Sequence, residues 1–167
     1  MSEFKSIEKT QGDELVLTFE GLIDEDVTFP SLSLAGVREV SIDLAAIKTI
    51  NSVGIREWLN WIKPISSSAV IQLMRCPKAL VFQFNMVEGF LPANARVSSF
   101  YVPFFCEKCD KEENALFTVG KEVMVSGGEI KVSYDKKVIG YCKECDCEME
   151  MDVTEAKYFQ FLKRMNG

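Results

Sequence analysis

The stretch TINSVGIREWL, residues 49–59, decides the fold that this sequence predicts. It follows residues 39–44, EVSIDL, in which apolar and polar side chains alternate as in a half-buried strand. From Ser52 onward the period is helical, and one apolar stripe collects Ile55, Trp58, Leu59, Ile62 and Ile65. Ser52 is therefore expected at a strand-to-helix junction, where its hydroxyl would cap the helix.

Strand-like and helix-like segments alternate on both sides of this junction. Further strands are predicted at residues 4–9, 15–23, 69–74 and 96–105. A second helix begins near Pro77 and stops at Gly89. Strands that return through helices to parallel neighbours build a sheet with helices on one face. The sequence thus predicts an α/β domain with a mixed sheet over residues 1–105.

Residues 106–167 differ in character and are expected to form a second, small domain. They are rich in Lys, Glu and Asp, and short strand-like runs flank a turn at Ser126-Gly127-Gly128. Residues 155–165 predict a C-terminal helix that Thr154 could cap. The broad apolar face of that helix would suit a homodimer.

Two C-x2-C pairs, Cys106/Cys109 and Cys142/Cys145, mark this second domain. Each pair brings two thiolates to one point, and two such pairs complete a tetrahedral zinc shell. A segment of this size has too small a core to fold alone, so a bound metal would stabilise it. The pattern predicts structural zinc (Zn2+) in a zinc-ribbon-like β module.

Other fates of these thiols have less support. Disulfides need an oxidising compartment, and the polar N-terminus has no apolar signal core. An iron–sulfur cluster also uses four thiolates, and Cys147 is near enough in sequence to compete with Cys145. A redox C-x2-C pair sits at a helix start in a thioredoxin-like sheet, which this segment lacks. Cys76 is most simply a buried core thiol.

Composition narrows the classes of function. The chain has 167 residues, carries a net charge of −6 and contains no histidine. Lys and Arg exceed Asp and Glu in neither domain, so nucleic acid and membranes are not expected partners. No apolar run is long enough to span a bilayer, and a cytoplasmic location is expected. Without histidine the commonest general base is missing, and the acidic trio Asp24-Glu25-Asp26 diverges in a loop, so catalysis is not expected.

Ser52 admits two interpretations. As an isolated serine it would only cap the helix. Alternatively, a phosphate on Ser52 would meet backbone N–H groups and the positive end of the helix dipole, with Arg56 one turn later to pair with it. Phosphorylation adds about −1.5 to −2 charges at that point, enough to switch a docking surface on or off.

The residues around this junction resemble a known family. They resemble the STAS domain of anti-sigma-factor antagonists. The resemblance lies in the strand that begins at Val40 with its Asp-Leu end, the run Ile50-Asn51-Ser52-Val53-Gly54 and the amphipathic helix after it. Gly21-Leu22-Ile23-Asp24 is similar to the family's Gly-x-hydrophobic-Asp near the end of an early strand. The order of the later elements extends the resemblance over roughly residues 10–105.

The resemblance assigns a role to Ser52. The family carries an Asp-Ser-Ser/Thr-Gly motif whose first serine is phosphorylated by a partner kinase, and that serine matches Ser52. Asn51 stands where the family has aspartate, and the family's first helix is compressed into residues 27–36 or lost.

The resemblance implies a cytoplasmic regulator that acts in signal transduction and transcription regulation. Its partner would be a protein such as an anti-sigma factor with serine-kinase activity, and phosphorylation of Ser52 would control the contact. The expected contact residues are Asn51, Arg56, Glu57, Asn60 and Trp61. Trp61 lies at the edge of the buried stripe and could instead be a half-covered boundary residue. Two alternatives are a constitutive interaction scaffold and a small-ligand sensor, in which Ser52 only caps the helix.

Overall fold

The computed structural model describes residues 3–166. Its strands are β1 (Lys5–Gln11), β2 (Glu14–Ile23), β3 (Glu39–Ile50), β4 (Val70–Met74), β5 (Ala95–Val97), β6 (Ser99–Cys106), β7 (Lys111–Thr118), β8 (Val123–Ser126), β9 (Glu129–Val132) and β10 (Glu150–Met151). Its helices are α1 (Ser52–Ser66), α2 (Lys78–Met86), α3 (Glu155–Tyr158) and a 3-10 helix at Gln160–Asn166. Among these described residues, no helix has the length and apolar character needed to cross a membrane.

A mixed five-stranded sheet forms the larger part of the molecule, which confirms the predicted α/β class. Its strand order is β1-β2-β3-β4-β5. β1 runs antiparallel to β2, and the strands from β2 to β5 are parallel neighbours. α1 and α2 supply the two crossovers between β3, β4 and β5. The linker between β2 and β3, residues 24–38, contains no helix and consists of turns and irregular chain.

The core of this sheet follows the strand periodicity. The buried side chains of β2 include Leu15, Leu17 and Phe19, whereas Val16 and Thr18 between them are only partly covered. Trp58 of α1 is fully buried above the sheet, and its indole N–H donates to the carbonyl of Phe90 at 2.8 Å. The apolar stripe of α1 therefore faces the core as its spacing predicts.

A single strand was predicted at residues 96–105, and this prediction is wrong because two strands lie there. The chain breaks at Ser98, so that β5 stays in the first sheet while β6 enters a second, antiparallel sheet of order β10-β6-β7. A parallel β-bridge joins Phe100 of β6 to Cys76, two residues beyond the end of β4. β6 is buried on nearly its whole length because neighbouring elements cover both of its faces.

The C-terminal helix is also shorter than its apolar pattern predicts. α3 ends after one turn at Tyr158, and the chain continues as a 3-10 helix. Four side chains of this tail are buried: Tyr158, Phe159, Phe161 and Leu162. The phenol of Tyr158 donates to the carbonyl of Tyr101, and Arg164 donates to the carbonyl of Phe84 at 3.1 Å. The apolar face is therefore covered within the chain, between α2 and β6.

Candidate metal centre and strand-to-helix junction

The two C-x2-C pairs lie on separate loops of the second sheet. Cys106 ends β6, and its pairing with Lys111 closes the tight turn that carries Cys109. The second pair precedes β10, where the amide of Cys142 donates to the carbonyl of Cys147 at 2.8 Å. The hairpin-like chain between the pairs returns the second loop to the first.

The four sulfur atoms form one compact cluster. The ligand atoms of Cys106, Cys109, Cys142 and Cys145 all lie within 4.8 Å of one another. The sulfurs of Cys106 and Cys145 are 3.5 Å apart, and those of Cys109 and Cys142 are 3.8 Å apart. Sulfur atoms joined as a disulfide lie about 2.05 Å apart, so these distances describe free thiols. The cluster could hold one metal ion.

The two turns share a backbone feature that shapes the cluster. Asp110 and Asp146 each follow the second cysteine of a pair, and both have a left-handed backbone with φ of 53° and 58°. Aspartate is among the few non-glycine residues that adopt this conformation with little strain. Each pair is therefore followed by a residue in the same left-handed conformation. Lys111, which follows the first turn, forms an ion pair with Glu144 within the second.

Backbone amides favour the ionised sulfur in the second turn. The amides of Cys145 and Glu144 donate toward Cys142 and lower the pKa of its thiol to about 7. The pKa of Cys109 is raised to about 12, chiefly because its thiol donates to Cys145 and because it is desolvated. Four negative sulfurs repel one another at this distance, and a bound cation removes that repulsion. Metal binding at this cluster would therefore release protons from the thiols.

Two cysteines lie outside the cluster. Cys147 directs its sulfur at the carbonyl of Cys145, 3.6 Å away, and does not join the other four. Cys76 is fully buried, as predicted, and desolvation raises the pKa of its thiol. No disulfide joins any of the six cysteines, all of which belong to the described part of the chain.

At the strand-to-helix junction, the prediction that Ser52 caps α1 is wrong. Asn51 is the N-cap, and its Oδ1 accepts from the amide of Gly54 at 2.9 Å. β3 continues to Ile50, so one residue separates strand from helix, and the cap falls one position earlier than expected. Ser52 is the first residue of α1 and is exposed to solvent.

The end of β2 packs directly against this junction. The amide of Asn51 donates to the carbonyl of Ile23 at 3.1 Å, and its side-chain amide donates to Glu25 at 2.7 Å. A β-carbon on Gly54 would lie only 2.0 Å from the same Ile23 carbonyl oxygen. Glycine is therefore required at position 54 because two backbone segments approach too closely for any side chain. The two motifs quoted from the sequence thus meet at one place.

The acidic loop adds negative charge beside the helix start. Hydrogen bonds from its own backbone amide and from Asn51 lower the pKa of Glu25. The first turn of α1 contains no acidic residue of its own, so Glu25 is the carboxylate that faces this helix end through Asn51. The sequence identified Asp24-Glu25-Asp26 as an acidic group but did not predict the contact between Glu25 and Asn51, because that contact depends on where Asn51 lies in the fold.

The remaining predicted contact residues lie along α1. Arg56 and Asn60 are exposed, and Arg56 forms an ion pair with Glu57 at 3.5 Å. Trp61 is half-covered: it stacks on Phe29, and its indole N–H donates to the carbonyl of Pro30 at 2.8 Å. Trp61 therefore anchors the β2–β3 linker to α1.

No protein-family model, curated protein or solved structure matches this chain.

Proposed function

We propose that this chain is a non-catalytic regulator of the STAS, anti-sigma-factor-antagonist type, which binds a protein partner under control of phosphorylation at Ser52. One observation carries the proposal: Ser52 lies exposed on the first turn of α1, beside the point where Ile23 packs on Gly54. The parallel β3-α1-β4 unit that presents it supports the STAS assignment.

A phosphate at Ser52 would act on two neighbours. The N-terminal end of α1 attracts the phosphate, and Arg56 can turn from Glu57 to pair with it. Glu25, held beside the junction through Asn51, would be repelled by it. Phosphorylation would therefore displace the acidic loop from the helix start and change the shape and charge of the docking surface.

In the same proposal the four-cysteine cluster is a structural zinc site of a zinc-ribbon-like module. Zinc bound to four thiolates at about 2.3 Å would space tetrahedrally arranged sulfurs about 3.8 Å apart, which the observed distances support. Such a shell leaves no position for a catalytic water. The proposal includes a cytoplasmic location, a reducing compartment in which such thiols stay free to bind metal.

Phosphorylation is tested on protein purified from its native host. Intact-mass analysis should show a species heavier by one phosphoryl group, and peptide mapping should place that group on Ser52. Affinity capture from native lysate with Ser52→Ala and Ser52→Asp as baits should then recover one partner with at least about tenfold different efficiency. Ser67→Asp, at the exposed C-terminal end of α1, is the matched control and should behave like the parent chain.

A constitutive scaffold is the second candidate, and the carboxylate of Glu25, held by Asn51 next to Ser52 in the chain, favours it. Like charge at that point disfavours a permanent phosphate and weakens recognition by a kinase that needs a basic or neutral neighbourhood. A scaffold would show no phosphorylated species and the same partner for all three baits.

A further inference from the structure

The exposed side of α2 carries an apolar ridge that the junction and the metal cluster leave unexplained. Phe82 and Met86 are one helical turn apart and are 40% and 78% exposed. Lys78 lies one turn before Phe82 on the same side. These three residues form the α2 ridge. Large apolar side chains in such a row on a helix surface are typical of contact sites.

A groove lies on each side of the α2 ridge, and Phe82 lines both. The first has a volume of about 470 Å³ and lies between Ile47 at the end of β3 and Tyr101 of β6. The second has a volume of about 320 Å³ and lies against Val153 and Tyr158 of the C-terminal segment. Ridge and grooves form one continuous surface, wide enough to receive the side chains of a helix laid along it.

The charge of this surface is opposite to that of the chain as a whole. The chain has a net charge of −6, yet three lysines, Lys48, Lys78 and Lys157, line the two grooves. Of the residues that the structure describes, no aspartate or glutamate lines either groove. Glu112, which is not a lining residue, pairs with Lys78 at 2.9 Å. A negatively charged partner is therefore complementary to the rim.

Asn85 links α2 to the C-terminal segment beside the second groove. Asn85 donates through its side-chain amide to the carbonyl of Tyr158 at 2.9 Å. Its Oδ1 is buried and accepts no hydrogen bond within the described part of the chain. The hydrogen bond to Tyr158 joins α2 to the C-terminal segment, the two walls of the second groove.

We propose that the α2 ridge and its two grooves bind an acidic amphipathic helix of a partner protein. Apolar side chains of that helix fill the grooves beside Phe82 and Met86, and its carboxylates face the lysines of the rim. Methionine suits such a surface because its flexible side chain adapts to different partners. The proposal depends on neither phosphorylation of Ser52 nor the identity of the metal.

The full-length chain is tested by selection from a phage-displayed library of random peptides about 16 residues long, enough for four to five helical turns. Selected peptides should be acidic and amphipathic, and their Kd should rise with salt concentration. Met86→Asp should weaken binding by about tenfold or more, and Lys78→Glu with Lys157→Glu should weaken it and flatten the salt dependence. Met124→Asp, at a half-exposed methionine of β8, is the matched control and should bind as the parent does.

Three results would overturn the proposal. The first is a selection that yields no binders, or only basic or uncharged ones. The second is binding that Met86→Asp leaves unchanged while circular dichroism and the thermal midpoint show a folded variant. The third is a self-association in sedimentation that Met86→Asp abolishes, which would assign the ridge to a second copy of the chain.

Discussion

At the scale of single residues, Gly54 has room only for a hydrogen atom. An alanine methyl group would sit 2.0 Å from the carbonyl oxygen of Ile23, so either β2 or α1 must move. We expect Gly54→Ala to lower the free energy of unfolding by about 2–3 kcal/mol, measured by urea denaturation. Ser52→Ala in the same turn is the control and should change it by less than about 0.5 kcal/mol. Equal effects of the two substitutions would refute the close-approach argument.

Asn51 links the helix cap to the acidic loop. Asn51→Ala should cost about 1 kcal/mol of stability, because the amide of Gly54 loses its acceptor. The pKa of Glu25 should rise toward its ordinary value, because one hydrogen bond that lowers it disappears. An NMR titration of the Glu25 carboxyl carbon measures this shift, and Asn60→Ala on the exposed side of α1 should leave it unchanged.

The sign of the pH effect follows from the lowered pKa of Glu25. A carboxyl group whose pKa falls on folding stabilises the native state above its unfolded pKa, and that stability is lost as the pH drops through the native value. The stability difference between the parent chain and Asn51→Ala should therefore be largest at neutral pH and smaller at acid pH. A difference that stays constant across this range would show that Asn51 acts only through the cap.

At the scale of elements, the two cysteine turns act as a unit to which Cys147 does not belong. Cys145→Ala should reduce zinc content below half an equivalent, because three remaining thiolates cannot close the shell. Cys147→Ala is the matched control and should keep about one equivalent, because its sulfur turns to the carbonyl of Cys145. Elemental analysis of freshly purified protein measures both. Loss of metal from the Cys147 variant alone would make Cys147 the true ligand.

The elements also show where local pattern is sufficient. The α1 stripe from Ile55 to Ile65 faces the core, as predicted, because helical period acts between near neighbours. The two C-x2-C pairs also come together as predicted. The break at Ser98 was missed, because β5 and β6 are both apolar and adjacent in the chain. Only pairing with different partners, β4 in one case and β7 and β10 in the other, separates them.

The cap at Asn51 illustrates the same limit at one residue. Serine and asparagine are both good N-caps, so composition could not choose between adjacent positions. The choice depends on how far β3 runs, and the hydrogen bond from Asn51 to Ile23 sets that limit. Element boundaries are decided by neighbours in space that a local pattern does not contain.

At the scale of the whole molecule, the C-terminal tail joins the two sheets. Phe161 is fully buried, with its ring 5.5 Å from that of Phe84 on α2 and 5.2 Å from that of Phe100 on β6. Phe161→Ala should therefore lower the free energy of unfolding by about 3–5 kcal/mol in a single cooperative transition. Phe82→Ala, at a 40% exposed phenylalanine of α2, is the control and should cost clearly less. Two separate transitions, with the five-stranded sheet unaffected, would contradict this coupling.

The sequence by itself determined the features that depend on near neighbours, namely the α1 stripe, the strand alternation and the paired cysteines. Tertiary structure alone decided which segments meet. Ile23 packs on Gly54, Tyr158 donates to Tyr101 across 57 positions, and Arg164 donates to Phe84 across 80. The same contacts cover the tail's apolar face and leave Phe82 and Met86 exposed. An apolar pattern predicts that a face will be buried because burial depends on the side chains of that face. Which segment covers the face depends on the shape and hydrogen bonding of residues distant in the chain.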